Sequence, residues 1–276
     1  MTTFITKENL LENLNSENVR VIDCRFQLGS KEIGRTQYLE GHIPGAIYFH
    51  LEEDLSGVVE THGGRHPLPR IEDFKQLIEN AGVTNKTKVI VYDNGEGAFA
   101  GRCWWLLKYV GHEDVYILDG GYKEWSAAHY PVTTLIPTFA TTSFDIHIQE
   151  GMLATVEDVK DAVKNRNSTL VDSRESKRYL GIEEHVDKKA GHIPTAINKP
   201  WMEGFQNGVF KKAADQSVRF NDIEKDKPII VYCGSGITAT PNFIALKEAG
   251  YENVKLYAGS FSDWISYDEN EVATKE

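Results

Sequence analysis

Short apolar runs alternate along the chain with longer segments in which apolar residues recur every three or four positions. The short runs predict buried strands at 19–23, 88–92, 115–118, 168–172, 228–232 and 253–257. The longer segments predict helices at 7–14, 71–81, 99–110, 121–128, 155–165, 239–249 and 260–267. Strands that alternate with helices are typical of a mainly parallel sheet with helices on both faces. The predicted fold class is therefore α/β.

The order of elements occurs twice because the sequence contains an internal repeat. The matched stretches are VIDCR at 21–25 with LVDSR at 170–174, GHIPGAI at 41–47 with GHIPTAI at 191–197, KVIVYD at 88–93 with KPIIVYC at 227–233, and VYILDGG at 115–121 with VKLYAGS at 254–260. A period of about 145 residues is the size of a domain and too long for a solenoid unit. We therefore predict tandem domains at 1–132 and 151–276, joined by a linker at 133–150.

Composition and charge narrow the class of protein. Hydrophobic residues make up 41% of the 276 residues and charged ones 26%, which is typical of a soluble globular protein. The formal net charge of −11 argues against nucleic acid or an anionic membrane as a partner. We find no membrane-spanning apolar run and no signal peptide pattern. The three cysteines are too far apart in sequence to suggest a disulfide framework, so we expect a reduced, cytoplasmic protein.

One cysteine lies where a thiol would be chemically active. The strand predicted at 228–232 ends at Cys233, and two glycines, Gly234 and Gly236, precede the helix predicted at 239–249. A strand, a tight glycine loop and a helix start direct backbone N–H groups at the cysteine sulfur, and such a nest favours an anion. We therefore expect the Cys233 thiol to ionise readily and to act as a nucleophile.

The two copies of the repeat differ at this position. In the first copy the strand ends at Asp93, and Glu96 follows in the same loop. Acidic groups there would repel an anion from a nest of N–H groups, which predicts that the first copy is inactive. Cys24 and Cys103 are predicted to be buried apolar residues without a chemical role.

Other motifs are assigned to structure rather than to chemistry. His42 and His192, in the two GHIP motifs, are interpreted as hydrogen-bonded structural residues, and the Asp-x-Arg of each copy as an ion pair that joins a strand end to a loop. The HGGRH stretch at 62–66 lacks a third ligand for a metal site. The sixth residue after Cys233 is Ala239, where Cys-x5-Arg phosphatases carry their phosphate-binding arginine, so a phosphatase is not favoured.

The chain resembles the tandem-domain rhodanese-type sulfurtransferases over nearly its whole length. The doubled GHIP[GT]AI, the Asp-x-Arg, the LDGG of the first copy and the CGSGITA loop carry the resemblance. In that family the C-terminal module is active and the N-terminal module carries Asp in place of Cys, as Asp93 does here. The resemblance implies that Cys233 takes a sulfane sulfur from a small donor, becomes a persulfide, and passes the sulfur to cyanide or to a thiol such as thioredoxin or glutathione.

The resemblance requires no cofactor or metal. It implies instead that backbone N–H groups hold the outer sulfur of the persulfide. These groups belong to Gly234, Ser235, Gly236, Ile237 and Thr238. Residues 233–238 are called the cysteine loop below.

The identity of the donor divides the family. The cysteine loop is similar to that of 3-mercaptopyruvate sulfurtransferases, whereas thiosulfate-specific members more often place Arg and Lys after the cysteine. The uncharged Gly234, Ser235 and Gly236 therefore favour 3-mercaptopyruvate, and a thiosulfate:cyanide sulfurtransferase is the alternative. Arg178 matches a substrate-binding arginine of the family, and its guanidinium is expected to hold a carboxylate or sulfonate-like pair of oxygens.

One departure counts against the mercaptopyruvate interpretation. Those enzymes carry a second arginine ahead of the second GHIP, but the stretch 183–189 contains none. His185, Lys188 or Lys189 is a candidate replacement, but none of these side chains can bind a carboxylate through two parallel hydrogen bonds as arginine does.

The mercaptopyruvate enzymes also use a His and an acid from the N-terminal module to assist the loop serine, Ser235 here. The His matches His66, and the acid falls near Glu52 or Glu53. Outside the enzyme class, a non-catalytic persulfide carrier or sensor is a further alternative. An enzyme would form thiocyanate from cyanide catalytically, whereas a carrier or sensor would not.

Overall fold

The computed structural model describes residues 3–274, which divide into two compact units. The first unit comprises Met1–Gly57, Leu68–Gln149 and Asn207–Phe210, and the second comprises Val58–Pro67, Glu150–Gln206 and Lys211–Glu276. These units differ from the contiguous domains 1–132 and 151–276 drawn from the repeat, because the segment 58–67 packs with the second unit and the segment 207–210 with the first. Nearly all of the segment proposed as a linker belongs to the first unit.

The first unit is built on a five-stranded parallel sheet. Its strand order is Phe4–Ile5, Val115–Leu118, Lys88–Tyr92, Val19–Asp23 and Ala46–Tyr48. The helices of this unit are Lys7–Asn13, Glu32–Glu40, Ile71–Asn80, Ala98–Tyr109 and Gly121–Ala127. The central strand Lys88–Tyr92 is buried after its first residue, as expected for a strand covered on both faces.

The second unit repeats this arrangement with four parallel strands. Their order is Val254–Leu256, Ile229–Tyr232, Thr169–Asp172 and Ile197–Asn198. Its α-helices are Val156–Asn165, Ser176–Tyr179, Ala213–Arg219, Thr240–Glu248 and Ser260–Trp264, and its 3₁₀ helices are Glu150–Met152 and Trp201–Gly204. Two short strands remain, Phe205–Gln206 in the second unit and Val209–Phe210 in the first.

The strand order of the second unit reverses between Thr169–Asp172 and Ile229–Tyr232. From the first of these strands the chain moves outward to one side of the sheet, and it returns on the other side. Ligands of open α/β sheets bind outside the carboxyl ends of the strands at such a switch point. Cys233 is the first residue beyond the carboxyl end of Ile229–Tyr232, so the topology places it at this position.

The motifs assigned to structure have structural partners. Arg174 Nη2 donates to Asp172 Oδ2 at 2.6 Å and to the Gly191 carbonyl at 2.6 Å, which ties a strand end to the second GHIP turn. His192 is buried, its Nδ1 lies 2.7 Å from the Tyr179 carbonyl oxygen, and its ring stacks on that of Tyr179. The first copy repeats both arrangements, with Arg25 on Asp23 and His42 on Tyr38. None of the helices within residues 3–274 is long and apolar enough to cross a membrane.

Candidate active site

The cysteine loop is held by hydrogen bonds to the start of the helix Ser260–Trp264. The Cys233 N–H donates to Ser260 Oγ at 3.1 Å, and the Cys233 carbonyl accepts from the Phe261 N–H at 3.0 Å. The Gly234 carbonyl accepts from the Ser262 N–H at 3.0 Å. These contacts use the backbone on either side of the thiol, so the loop conformation does not depend on the thiol itself.

Glycine is required at position 236. Its φ is +77°, and a Cβ atom there would lie 2.2 Å from the Ala258 carbonyl oxygen. In this conformation the Gly236 N–H, one of the five N–H groups predicted to surround the sulfur, donates to Cys233 Sγ at 3.2 Å. The Cys233 side chain is buried. The sulfur is therefore desolvated and faces a hydrogen-bond donor.

The equivalent loop of the first unit, residues 93–100, is called the aspartate loop here. Asp93 is buried, and its carboxylate accepts four backbone N–H groups at 2.8–3.1 Å, from Gly95, Gly97, Phe99 and Ala100. Asp93 therefore does more than repel an anion from the nest, because its own carboxylate occupies the nest as the acceptor. Burial raises the pKa of Asp93, and the four N–H donors act in the opposite direction.

A segment from the first sequence copy, residues 58–67, packs within the second unit. The Gly63 N–H donates to Asp263 Oδ1 at 2.7 Å, and the His62 ring stacks on Tyr267 with centroids 4.0 Å apart. A Cβ atom at Gly64 would lie 2.3 Å from the Gly259 carbonyl oxygen, so the backbone approaches closely. These contacts fix the two residues that follow, Arg65 and His66.

His66 and Ser235 are in contact. The His66 Nδ1 atom lies 2.8 Å from Ser235 Oγ, and both side chains are buried. The structure thus joins the histidine to the serine of the cysteine loop, which is the pairing that the resemblance implied.

Arg178 is held by two acidic side chains. Its Nε and Nη2 donate to the two Glu184 carboxylate oxygens at 3.0 Å each, and Nη2 also donates to Asp187 Oδ2 at 2.7 Å. Burial raises the pKa of Glu184, but hydrogen bonds from Arg178 and from two backbone N–H groups outweigh it, so that the pKa is lowered. Glu184 is therefore ionised at neutral pH, and it orients the guanidinium.

Arg65 is a residue of the site that the sequence interpretation did not single out. It forms an ion pair through Nη1 with Asp187 Oδ1, on the carboxylate that Arg178 also uses, and its backbone N–H donates to Ser262 Oγ at 3.1 Å. A Cβ atom at Gly234 would lie 2.9 Å from Arg65 Nη2. The only local signal for Arg65 is its position beside His66 in the HGGRH stretch.

Two other candidates, Glu52 and His185, are described by their own surroundings. Glu52 belongs to the first unit, where its carboxylate pairs with Lys31 Nζ at 2.6 Å. His185 is exposed, and no hydrogen bond of its side chain is found within residues 3–274. Within residues 3–274, one group of side chains could hold a metal ion, and it consists of Glu32, His50 and Glu53. The histidines of HGGRH do not belong to it. The roles of Glu52 and His185 thus stay predictions.

Comparisons with known proteins show which family the chain resembles. The model of the rhodanese-like domain matches residues 6–128 and 155–267. A probable 3-mercaptopyruvate sulfurtransferase of Pseudomonas aeruginosa is 36% identical over 98% of this chain and 97% of its own length. A thiosulfate sulfurtransferase of Gallus gallus is 32% identical over 90% of this chain and 86% of its own.

A solved structure of the same family has a closely similar fold. The crystal structure of SseA from Escherichia coli, described as a 3-mercaptopyruvate sulfotransferase with the rhodanese fold, has a TM-score of 0.85 at 33% identity. The match covers 95% of this chain and all of that one. Both repeats thus match the same domain family, and the chain belongs to the rhodanese-like family of sulfurtransferases.

Proposed function

We propose that the protein moves a sulfane sulfur from a small anionic donor to a thiol or cyanide acceptor through a persulfide on Cys233. The observation that carries the proposal is the position of the buried Cys233 sulfur, at the carboxyl end of a central strand and 3.2 Å from the Gly236 N–H. An N–H group at this position stabilises a thiolate, and it also stabilises the terminal sulfur of a persulfide.

The first half of the reaction loads the cysteine. The Cys233 thiolate attacks the donor sulfur, and an S–S bond forms as the donor bond to that sulfur breaks. With 3-mercaptopyruvate the electron pair of the C–S bond passes to the methylene carbon, and the proton of the donor thiol ends on that carbon, which gives pyruvate. With thiosulfate the same attack releases sulfite, and no proton is needed. In both cases the product on the enzyme is the Cys233 persulfide anion.

The second half returns the enzyme to its starting state. An acceptor such as cyanide attacks the outer sulfur, the S–S bond breaks, and its electron pair returns to Cys233 as the thiolate. Thiols such as glutathione or thioredoxin are the proposed acceptors in a reducing, cytoplasmic setting. The cysteine is covalently modified and regenerated, so turnover needs no cofactor.

The contacts around the loop favour 3-mercaptopyruvate as the donor. Ser235 and His66 lie 2.8 Å apart and form a pair that can relay the proton to the leaving carbon. The cysteine loop itself carries no cation, and the Arg178 charge is balanced by Glu184 and Asp187. A monoanionic carboxylate is therefore better matched than a dianion.

The test is to compare kcat/KM for 3-mercaptopyruvate and thiosulfate with cyanide as acceptor. Mass spectrometry of the Cys233 peptide should show one added sulfur atom after incubation with the donor alone. We expect 3-mercaptopyruvate to be preferred. A ratio that strongly favours thiosulfate would support a thiosulfate:cyanide sulfurtransferase instead, and no turnover with either donor would support the carrier alternative.

Ser235→Ala should separate the two donors. It removes the hydroxyl that His66 contacts, so we expect kcat/KM for 3-mercaptopyruvate to fall by on the order of 100-fold, the low end for proton transfer, because water can partly replace the hydroxyl. Activity with thiosulfate should change little, because sulfite leaves without a proton. Steady-state kinetics with both donors tests this. An equal loss with both donors would show that Ser235 supports the loop rather than a proton relay.

A further inference from the structure

We propose that a cavity beside the cysteine loop binds the sulfur acceptor, and that this acceptor is a small thiol with an amino-acid end. Such a thiol carries both an ammonium and a carboxylate group, as cysteine and glutathione do. The inference rests on the proposed function and adds to it a binding place and a chemical class for the acceptor. The cavity is called the acceptor cavity below.

The acceptor cavity lies wholly within the second unit and has a volume of about 520 Å³. Its walls come from three stretches of the chain, within 59–65, 186–189 and 262–268. Cavities that hold small molecules typically measure about 300–1,000 Å³. The volume therefore suits a ligand of the size of an amino acid or a short peptide, and it is too small for a folded protein domain.

Two residues that line the cavity also contact the cysteine loop. The Ser262 N–H donates to the Gly234 carbonyl at 3.0 Å, and Arg65 Nη2 would lie 2.9 Å from a Cβ atom at Gly234. The cavity thus borders the residue that follows Cys233. Arg178, which is predicted to hold the donor, does not line it. An acceptor in this cavity would approach the cysteine loop from another side than Arg178.

Charged side chains of both signs border the cavity. Lys188 and Lys189 lie in one wall, and Glu60 and Asp268 lie in the other two. Within residues 3–274, none of these four side chains forms an ion pair or a hydrogen bond, so the lysines and the acids do not neutralise one another across the cavity. A ligand with a carboxylate and an ammonium can bind both sets, whereas an anionic or neutral thiol can bind only one set or neither.

Apolar side chains line the same cavity. Val59 and Val186 are 62% and 59% exposed, and Ile265 is half-buried. The carbon atoms of a bound amino acid or peptide would cover part of this apolar surface, which stabilises the complex. We therefore assign Lys188 and Lys189, predicted above as replacements for a donor-binding arginine, to the acceptor instead.

The transfer to such a thiol follows the second half of the proposed reaction. The acceptor sulfur attacks the outer sulfur of the Cys233 persulfide anion, the S–S bond to Cys233 breaks, and its electron pair returns to Cys233 as the thiolate. The proton of the acceptor thiol stays with the product, a new persulfide R–S–S–H. Atoms and charge balance without a further reactant.

The kinetic test compares a double variant, Lys188→Gln with Lys189→Gln, with a control, Lys164→Gln with Lys212→Gln. The control lysines are exposed and do not line the cavity, and their loss changes the net charge equally. We expect the first variant to lower kcat/KM for glutathione by on the order of 10-fold, as for the loss of two exposed ion pairs. Its kcat/KM for 2-mercaptoethanol, which is neutral, should not change. The control should match the wild type with both thiols, and neither variant should alter loading of Cys233 by the donor alone.

The ammonium of the ligand is tested with Glu60→Gln and Asp268→Asn combined. We expect kcat/KM for glutathione to fall several-fold. With 3-mercaptopropionate, which has a carboxylate and no ammonium, kcat/KM should not fall. Each thiol is compared with itself in wild type and variant, so differences in thiol reactivity cancel.

Binding can be measured without turnover. S-methylglutathione keeps the charges of glutathione, but it has no thiol and cannot accept sulfur. In isothermal titration calorimetry it should bind wild type and Cys233→Ser alike, and it should bind the Lys188 and Lys189 double variant several-fold more weakly.

The outcomes separate this inference from the proposed function. Unchanged kinetics of the Lys188 and Lys189 variant with glutathione would overturn the inference, and so would an equal loss with 2-mercaptoethanol, which would indicate a damaged loop. A loss seen only with thioredoxin as acceptor would show that the face serves a protein and would overturn it as well. If Cys233→Ser keeps full turnover, the proposed function fails, while binding of S-methylglutathione still decides whether the cavity recognises this class of molecule.

Discussion

Replacing Cys233 with serine is expected to abolish sulfur transfer from both donors, with a loss in kcat/KM on the order of 10⁴-fold or more. A serine hydroxyl stays protonated at neutral pH, and it would have to carry the transferred sulfur on oxygen. The fold should be unaffected, because the loop is held through the backbone by Ser260, Phe261 and Ser262. The measurements are thiocyanate formation and the mass of the cysteine peptide after exposure to the donor.

Cys24→Ser is the matched control for this substitution. Cys24 is also buried and follows a strand of the first unit, and the second unit carries Ser173 at the corresponding position. Burial and the neighbouring Cys103 raise the pKa of the Cys24 thiol well above its usual value, so it is not expected to react. Cys24→Ser should keep wild-type turnover. Retained turnover in Cys233→Ser, or its loss in Cys24→Ser, would show that the nucleophile is assigned to the wrong residue.

The central strands and the repeat could be predicted from the sequence because burial on both faces leaves uninterrupted apolar runs. Ile229–Tyr232 and Val254–Leu256 lie within the predicted strands, shorter by one residue and by two. The position of Cys233 beyond the strand end follows directly from this pattern. The proposed nucleophile is therefore the part of the site that local sequence describes best.

Short elements with weak patterns were missed. The helix Glu32–Glu40 buries only Gly34 and Tyr38, so it shows little apolar periodicity. Ser176–Tyr179 is a single turn, and Ile197–Asn198 has two residues, which is too short for a pattern. The segment 144–148 alternates apolar and polar residues, yet it forms no strand. Phe144 is buried and its N–H donates to Glu79 Oε1 at 2.9 Å, so packing and a side-chain acceptor hold the segment in place of a strand ladder.

The substrate side of the site could be predicted only in part, because its contacts join distant residues. The pairs Arg65 with Asp187 and His66 with Ser235 are separated by 122 and 169 residues. His66 was found through the family motif, whereas Arg65 has no local pattern that distinguishes it from a solvated arginine. What fixes Arg65 is the packing of the segment 58–67 within the second unit, which no periodicity predicts.

The aspartate loop can show, through protein stability alone, whether a nest of N–H groups stabilises an anion. Removing the Asp93 carboxylate in Asp93→Ala leaves four buried or half-buried N–H groups without their acceptor. Each hydrogen bond to a charged group contributes roughly 1.5–3 kcal/mol, and water can replace some of them, so we expect a loss of about 3 kcal/mol. The free energy of unfolding from denaturant titration measures it. Glu96→Ala removes an exposed acid from the same loop and should change stability by less than about 0.5 kcal/mol.

Asp93→Asn distinguishes an acceptor from a space-filling group, because the side chains have nearly the same shape. One Asp93 oxygen accepts from Gly95 and Gly97, and the other accepts from Phe99 and Ala100. In asparagine an NH₂ group must face one of these pairs of N–H donors, so most of the Asp93→Ala loss should remain. If Asp93→Asn is as stable as the wild type, the nest does not depend on an anionic acceptor. The same geometry could then no longer be used to argue that the cysteine loop stabilises a thiolate or persulfide at Cys233.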